Sequence, residues 1–198
     1  MCGVRLFDFP LFLCYCTSER QVWEMKIRNM ALCALFAALL AVCAWISIPM
    51  GDIAITTQTF GIFLTLGVLG GKRGTVATSI YLLLGIVGLP VFSGFQGGVG
   101  TLLGVTGGYI AGFLATALIY WLITALGKNK DIFRLLGMVI GLLFCYLLGT
   151  LWFRYGYLSY GGHSWGAILL KCVVPYLLPD AAKLMIAWLL SRRLRQFV

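Results

Sequence analysis

The chain has 198 residues, 61% of them hydrophobic and only 11% charged, with a mean hydropathy of +0.98, and a soluble domain of that length cannot hide so much apolar surface. Its net charge of +9 suggests nucleic acid at first sight, but the basic residues fall in short groups at the ends of apolar runs. That placement is typical of cytoplasmic membrane loops, so no nucleic acid partner is expected and membrane lipid is.

Each apolar stretch is about the 20 residues needed to cross a bilayer as a helix. The expected fold class is therefore an all-α integral membrane protein built as one compact domain. Residues 1–24 hold a single short apolar run, Phe9 to Cys16, interrupted by Pro10, and Met25-Lys-Ile-Arg reads like a second beginning. Residues 1–24 are expected to be a poorly ordered extension or a mis-called start, with the membrane domain over 25–198. A secretory signal peptide fits less well, because the basic n-region and the small-residue cleavage site are missing.

Span one is expected over 30–48, stopping at Pro49, which lacks an N–H and clashes with a preceding turn; Asp52 marks the far side. Span two, over 57–69, is short and starts on the polar run Thr56, Thr57, Gln58, Thr59, which suggests that it borders a cavity. It ends at Gly70-Gly71-Lys72-Arg73-Gly74. Span three, over 75–89, ends at Pro90 and leads into an uncharged glycine-rich stretch, Ser93 to Gly100. Span four covers 107–126, and Lys128, Lys130, Asp131 and Arg134 lead into span five over 135–153. A segment with Arg154, several tyrosines and His163 follows. Span six, preceded by the apolar stretch Trp165 to Val174, covers 179–190 and ends in Arg192, Arg193 and Arg195.

Six transmembrane helices put both termini on one side. Lys26, Arg28, Lys72, Arg73, Lys128, Lys130, Arg134, Arg192, Arg193 and Arg195 then share that side, against Arg154 and Lys171 opposite, so the positive-inside rule makes the N and C termini cytoplasmic.

Asp180 and Lys183 are the strongest local signal. One turn apart, they share a helix face, and charges at membrane depth are rare unless they pair or line a site. They read either as a structural ion pair near a helix N-terminus or as part of a binding site. The glycines between Ser93 and Gly108 let backbone approach a ligand closely, or belong to an ordinary external loop. Ala34 with Ala38, and Ala37 with Ala41 beside them, form small-xxx-small pairs that suit close helix packing, inside the chain or against another membrane protein.

Catalysis finds little support. His163 is the single histidine, there is no G-x-S-x-G elbow, and the seven cysteines, none in C-x-x-C spacing, read as small apolar fillers. Neither a metal nor a cofactor is expected. Gly67 to Arg73 is superficially like a phosphate loop, yet Leu66 replaces its first glycine and Arg73 its Ser/Thr. Uphill transport would draw its energy from a partner or an ion gradient.

Six stretches carry a resemblance: Ile55-Thr-Thr-Gln-Thr-Phe60, Leu69-Gly-Gly-Lys-Arg-Gly74, Leu84-Gly-Ile-Val-Gly-Leu-Pro-Val-Phe92, Gly97-Gly-Val-Gly100, Leu103-Gly-Val-Thr-Gly-Gly-Tyr109 and Pro179-Asp-Ala-Ala-Lys183. In this order and spacing the chain, from about Met25 to its C-terminus, resembles the BioY family, the biotin-specific S subunits of energy-coupling factor (ECF) transporters. The resemblance implies a six-helix, multi-pass protein of the bacterial cytoplasmic membrane that holds biotin near the extracellular surface. It also implies a transmembrane coupling subunit and two cytoplasmic ATPases as partners. Val105 stands where the family often has proline, a change expected to loosen the loop before span four, and residues 1–24 have no recognised counterpart.

Biotin offers an apolar bicycle, a ureido group with N–H donors and a carbonyl, and a carboxylate tail. Each buried polar group left unpaired costs roughly 1 to 3 kcal/mol. The resemblance thus assigns Asp180 to the ureido N–H, Lys183 to the carbonyl or carboxylate, Gln58 and Gln96 to either kind of partner, and the backbone of Gly97 and Gly98 to an anion. Phe92, Phe95, Tyr109, Tyr146 and Trp152 are candidates to cover the rings. Ala34, Ala37, Ala38 and Ala41 become the expected docking face, smooth enough for a subunit thought to tip within the membrane. An S subunit for thiamin or riboflavin, and a small membrane enzyme, are the alternatives.

Overall fold

In a computed structural model, residues 9–48, 54–127, 130–156 and 165–197 are described; the expectations for residues 1–8, Asp52, Lys128 and His163 lie outside them. Two compact units divide the chain, residues 1–32 and 33–198. The described residues are mostly helical. In order they form α1 (Phe9–Trp45), β1 (Ser47–Ile48), β2 (Ile55–Thr56), α2 (Gln58–Val87), α3 (Val99–Leu102), α4 (Gly107–Leu126), α5 (Asp131–Gly156), α6 (Trp165–Cys172) and α7 (Val174–Leu194). Among the described residues, four helical stretches are long and apolar enough to cross a membrane: Met25–Trp45, Gly107–Leu126, Asp131–Tyr155 and Ile168–Phe197.

Helix α2 reverses on itself. Gly70 interrupts it with φ 79° and ψ 177°, a conformation open to glycine and strained for any residue with a Cβ. In a straight helix Gln58 and Tyr81 would lie about 35 Å apart at a rise of about 1.5 Å per residue. Instead the Gln58 side-chain amide donates to the Tyr81 hydroxyl at 2.6 Å, and a Cβ on Gly74 would meet Leu66. The arms, 58–69 and 71–87, occupy the stretches expected to hold the second and third spans, 57–69 and 75–89, and each is shorter than the roughly 20 residues of a perpendicular crossing.

Helix α4 runs along α5, and α2 packs on α4 and α7. The α4–α5 seam is built on small residues: a Cβ on Gly112 would come within 2.7 Å of Cys145 Sγ, and one on Gly141 within 2.7 Å of Thr116 Cγ2. Backbones that close gain dispersion contacts that lipid cannot supply as well. Two buried threonine hydroxyls of α4 turn back to their own backbone, Thr116 to Gly112 at 2.8 Å and Thr124 to Tyr120 at 2.7 Å, so neither carries an unpaired donor into the apolar core.

Three boundaries differ from expectation. Helix α5 starts at Asp131, whose carboxylate suits the positive end of a helix dipole. Helix α7 starts at Val174 and runs through Pro179, with Pro175 in its first turn where a missing N–H costs nothing. Pro179 deprives a single carbonyl of its partner, a loss that membrane helices tolerate. The stretch between spans one and two holds an antiparallel ladder, Ser47 opposite Thr56 and Ile48 opposite Ile55, too short to read from an all-helical pattern.

Candidate functional site

The polar start of α2 and the Asp180 face of α7 meet. Lys183 Nζ donates to Asp180 Oδ1 at 2.8 Å, the Thr59 hydroxyl donates to the same oxygen at 3.0 Å, and the Tyr146 hydroxyl of α5 donates to Oδ2 at 2.7 Å. Lys183 also donates to the Thr56 carbonyl at 2.8 Å. Asp180 is 4% exposed. A carboxylate so deeply buried needs a counter-charge and further hydrogen bonds to offset desolvation, and this cluster supplies both. Neither group is saturated: a carboxylate accepts about four hydrogen bonds and an ammonium donates three, leaving one acceptor position on Asp180, at Oδ2, and one N–H on Lys183.

These two groups line a cavity of about 720 Å³, within the usual size of small-molecule sites. Its polar wall is Thr56, Gln58, Thr59, Tyr146, Asp180 and Lys183. The apolar Ile110, Phe113 and Leu142 also line it, and the loop after α2 adds Ser93, Gly94 and Gln96. Gln58 is oriented by Tyr81, whose hydroxyl passes the hydrogen bond on to the Val91 carbonyl at 3.0 Å. Phe92 is held edge-on to Tyr81, ring centroids 5.7 Å apart.

The structure thus brings Asp180, Lys183, Gln58, Gln96, Phe92, Tyr109 and Tyr146 to one cavity. Four expected residues stand outside its lining. The Gly98 N–H already donates to the Gly85 carbonyl at 2.7 Å, so it is spent as an anion donor, and Gly97 is pressed against the Leu89 carbonyl. Phe95 is exposed and stacks on Trp45 at 5.2 Å. Trp152 turns its indole N–H to the Gly104 carbonyl at 3.0 Å. The alanine face also splits. Ala34 and Ala38 are exposed, whereas Ala37 and Ala41 are buried within the chain's own core and are unavailable to a partner.

Several lining residues went unread. Thr59 follows Gln58 in the polar run, and Tyr176 precedes Asp180 by one turn; both spacings were available as signals. Thr101, Thr106, Cys145 and Cys172 carried none, because only folding places their segments here. Val105 both lines the cavity and packs on a small core of Phe153, Ile168 and Cys172. Among the described residues, no group of three or more His, Cys, Asp or Glu gathers to hold a metal.

The sequence profile of the BioY family matches residues 18–198. The chain belongs to the BioY family. The match begins upstream of Met25, so part of the stretch expected to lack a counterpart is shared with the family. The biotin transporter BioY of Thermotoga maritima is 39% identical to this BioY-family chain over 172 residues, covering 86% of it and 97% of the relative. The probable biotin transporter BioY of Pyrococcus horikoshii is 40% identical over 172 residues, covering 86% and 98%. Among solved structures, the S-component for biotin from an ECF-type ABC transporter superposes with a TM-score of 0.77 at 25% identity, covering 87% of this chain and 93% of that one.

Proposed function

We propose that this protein captures biotin with high affinity as the substrate-specific subunit of an ECF transporter and delivers it across the bacterial cytoplasmic membrane, while partner ATPases hydrolyse ATP. The observation that carries this reading is the Asp180–Lys183 pair at the cavity wall. It keeps a spare acceptor and a spare donor within one ion pair, the two kinds of partner that the N–H and C=O of a ureido edge require. The apolar wall suits the bicycle, and Gln58 and Gln96 are placed for the remaining polar atoms of ring and tail. Relatives named as biotin transporters support the same substrate.

In this reading the membrane domain crosses six times: α1, the two arms of α2, α4, α5 and α7. Both termini then face the cytoplasm with the clustered basic residues, and the cavity faces outward. Ala34 and Ala38 form the face that meets the transmembrane coupling subunit, which in turn carries two ATPases. The smooth exposed stripe suits a body that must turn against its partner.

Equilibrium binding of labelled biotin to the detergent-purified chain, with thiamin and riboflavin as competitors, tests the substrate. Tight binding displaced by unlabelled biotin alone is expected. Displacement by thiamin or riboflavin would reassign the vitamin, and turnover of biotin into another compound would make the protein an enzyme.

A further inference from the structure

At the end remote from the cavity, α2, α5 and α7 converge on Gly67, where a Cβ would lie 2.6 Å from Ser191 and 3.0 Å from Met138. One turn further toward that end, α5 offers Arg134, four residues before Met138, and the α7 terminus offers Arg195, four residues after Ser191. Nε and Nη1 of Arg134 and Nε and Nη2 of Arg195 are shut off from solvent and have no partner among the described residues. The Trp188 indole N–H and the Tyr120 hydroxyl are in the same condition. Tyr120 belongs to the same end, since a Cβ on Gly137, one turn from Arg134, would touch its ring at 3.1 Å.

The nearby carboxylate is already shared. Asp131 accepts from Arg195 Nη1 at 3.1 Å and lies 3.5 Å from Arg192 Nε. Buried guanidinium N–H groups without acceptors are costly, and their planar fork matches a phosphate or carboxylate. Exposed apolar side chains stand at the same end of both helices, Ile132 and Leu136 on α5 and Leu189 and Leu190 on α7. A headgroup phosphate held by the arginines would therefore lay its acyl chains on lipid-facing surface. Basic pockets between membrane helices bind anionic lipid headgroups in this manner.

We infer that Arg134 and Arg195 form a binding site for the phosphate of an anionic phospholipid at the basic end of the molecule, separate from the cavity. The site commits to lipid because exposed apolar side chains stand at the same end of both helices, beside the charged rim of Asp131, Arg192 and Arg193 that faces the headgroup region.

The test titrates the purified full chain with dioctanoyl-phosphatidylglycerol, dioctanoyl-phosphatidylcholine and inorganic phosphate, read by native mass spectrometry. Phosphatidylglycerol is expected to bind at least about tenfold more tightly than phosphatidylcholine and to resist displacement by phosphate, and R134Q and R195Q each to lose about tenfold. R134K, which keeps the charge and loses the fork, should lose nearly as much; R193Q, which removes an exposed arginine at the same end, should lose little. Unimpaired biotin binding in each variant reports an intact fold. Equal binding of the two lipids, or an R193Q loss as large as that of R134Q, would overturn the site. Ready displacement by phosphate would overturn its assignment to lipid, as would phosphatidylglycerol retention that depends on a protein partner.

Discussion

Asp180 and Lys183 are tied to α2 and α5 as well as to each other, so substitutions at this pair act on both affinity and packing. Lys183→Ala removes the free N–H and leaves the Asp180 charge with hydroxyl partners only. Biotin affinity should fall by about 1.5–3 kcal/mol, the worth of a hydrogen bond to a charged group. Asp180→Asn should cost at least as much, because Lys183 then loses its counter-charge in a buried setting. Tyr146→Phe removes one donor to Oδ2 and should cost about 1 kcal/mol. Calorimetry on the three variants orders them, and unchanged affinity in the first two would place biotin elsewhere. The pair was legible in the sequence because charge in an apolar span is rare. Its partners Thr59 and Tyr146 were only partly so: a hydroxyl in a membrane helix serves its own backbone as often as a neighbour, and sequence does not distinguish the two.

At the scale of elements, the reversal in α2 depends on one backbone conformation. Nothing lies within 4 Å of the place a Gly70 Cβ would take, so Gly70→Ala isolates the backbone cost of a positive φ, about 1 kcal/mol or more. A lower thermal midpoint with biotin affinity retained is the expected outcome. The loop after α2 is fastened differently. Phe95, at φ 58°, stacks on Trp45, whose indole N–H donates to the Pro90 carbonyl at 2.7 Å. An aromatic pair is worth about 0.5–1.5 kcal/mol, and because Ser93, Gly94 and Gln96 of this loop border the cavity, Trp45→Ala should release bound biotin several-fold faster in a chase with unlabelled biotin. The spans around Gly70 could be read from the Gly-Gly-Lys-Arg-Gly break. Phe95 could not: its fate was decided by an aromatic fifty residues away, and an exposed stack leaves the same local pattern as a ring lining a site. The glycines beside it were misread for a related reason, since backbone freed by glycine is as readily consumed by other backbone as offered to a ligand.

For the whole molecule, the exposed face of α1 can be separated from the cavity. Ala34→Trp and Ala38→Trp add bulk at exposed positions without touching the lining residues. They should abolish co-purification with the coupling subunit and vitamin uptake while leaving biotin binding to the isolated chain intact. Uptake that survives both changes would move the docking face elsewhere. The membrane class was evident from composition alone, and the grouping of basic residues suggested which ends of the helices lie together. How far Ala37 and Ala41 turn inward was not evident, because a stripe of four alanines spans more of the helix circumference than one interface uses.

The cavity also has a floor. Beneath Phe113 and Leu142 lies a pocket of about 10 Å³, and among the described residues Leu66, Ala117, Tyr120 and Met138, which are fully buried, fill the space further in toward the basic end. A receptacle packed in this way is expected to conduct nothing. Vesicles carrying the chain alone should hold a potassium diffusion potential as long as empty ones do, with or without biotin, so a cell can keep many idle copies in its membrane without dissipating the gradients that feed it.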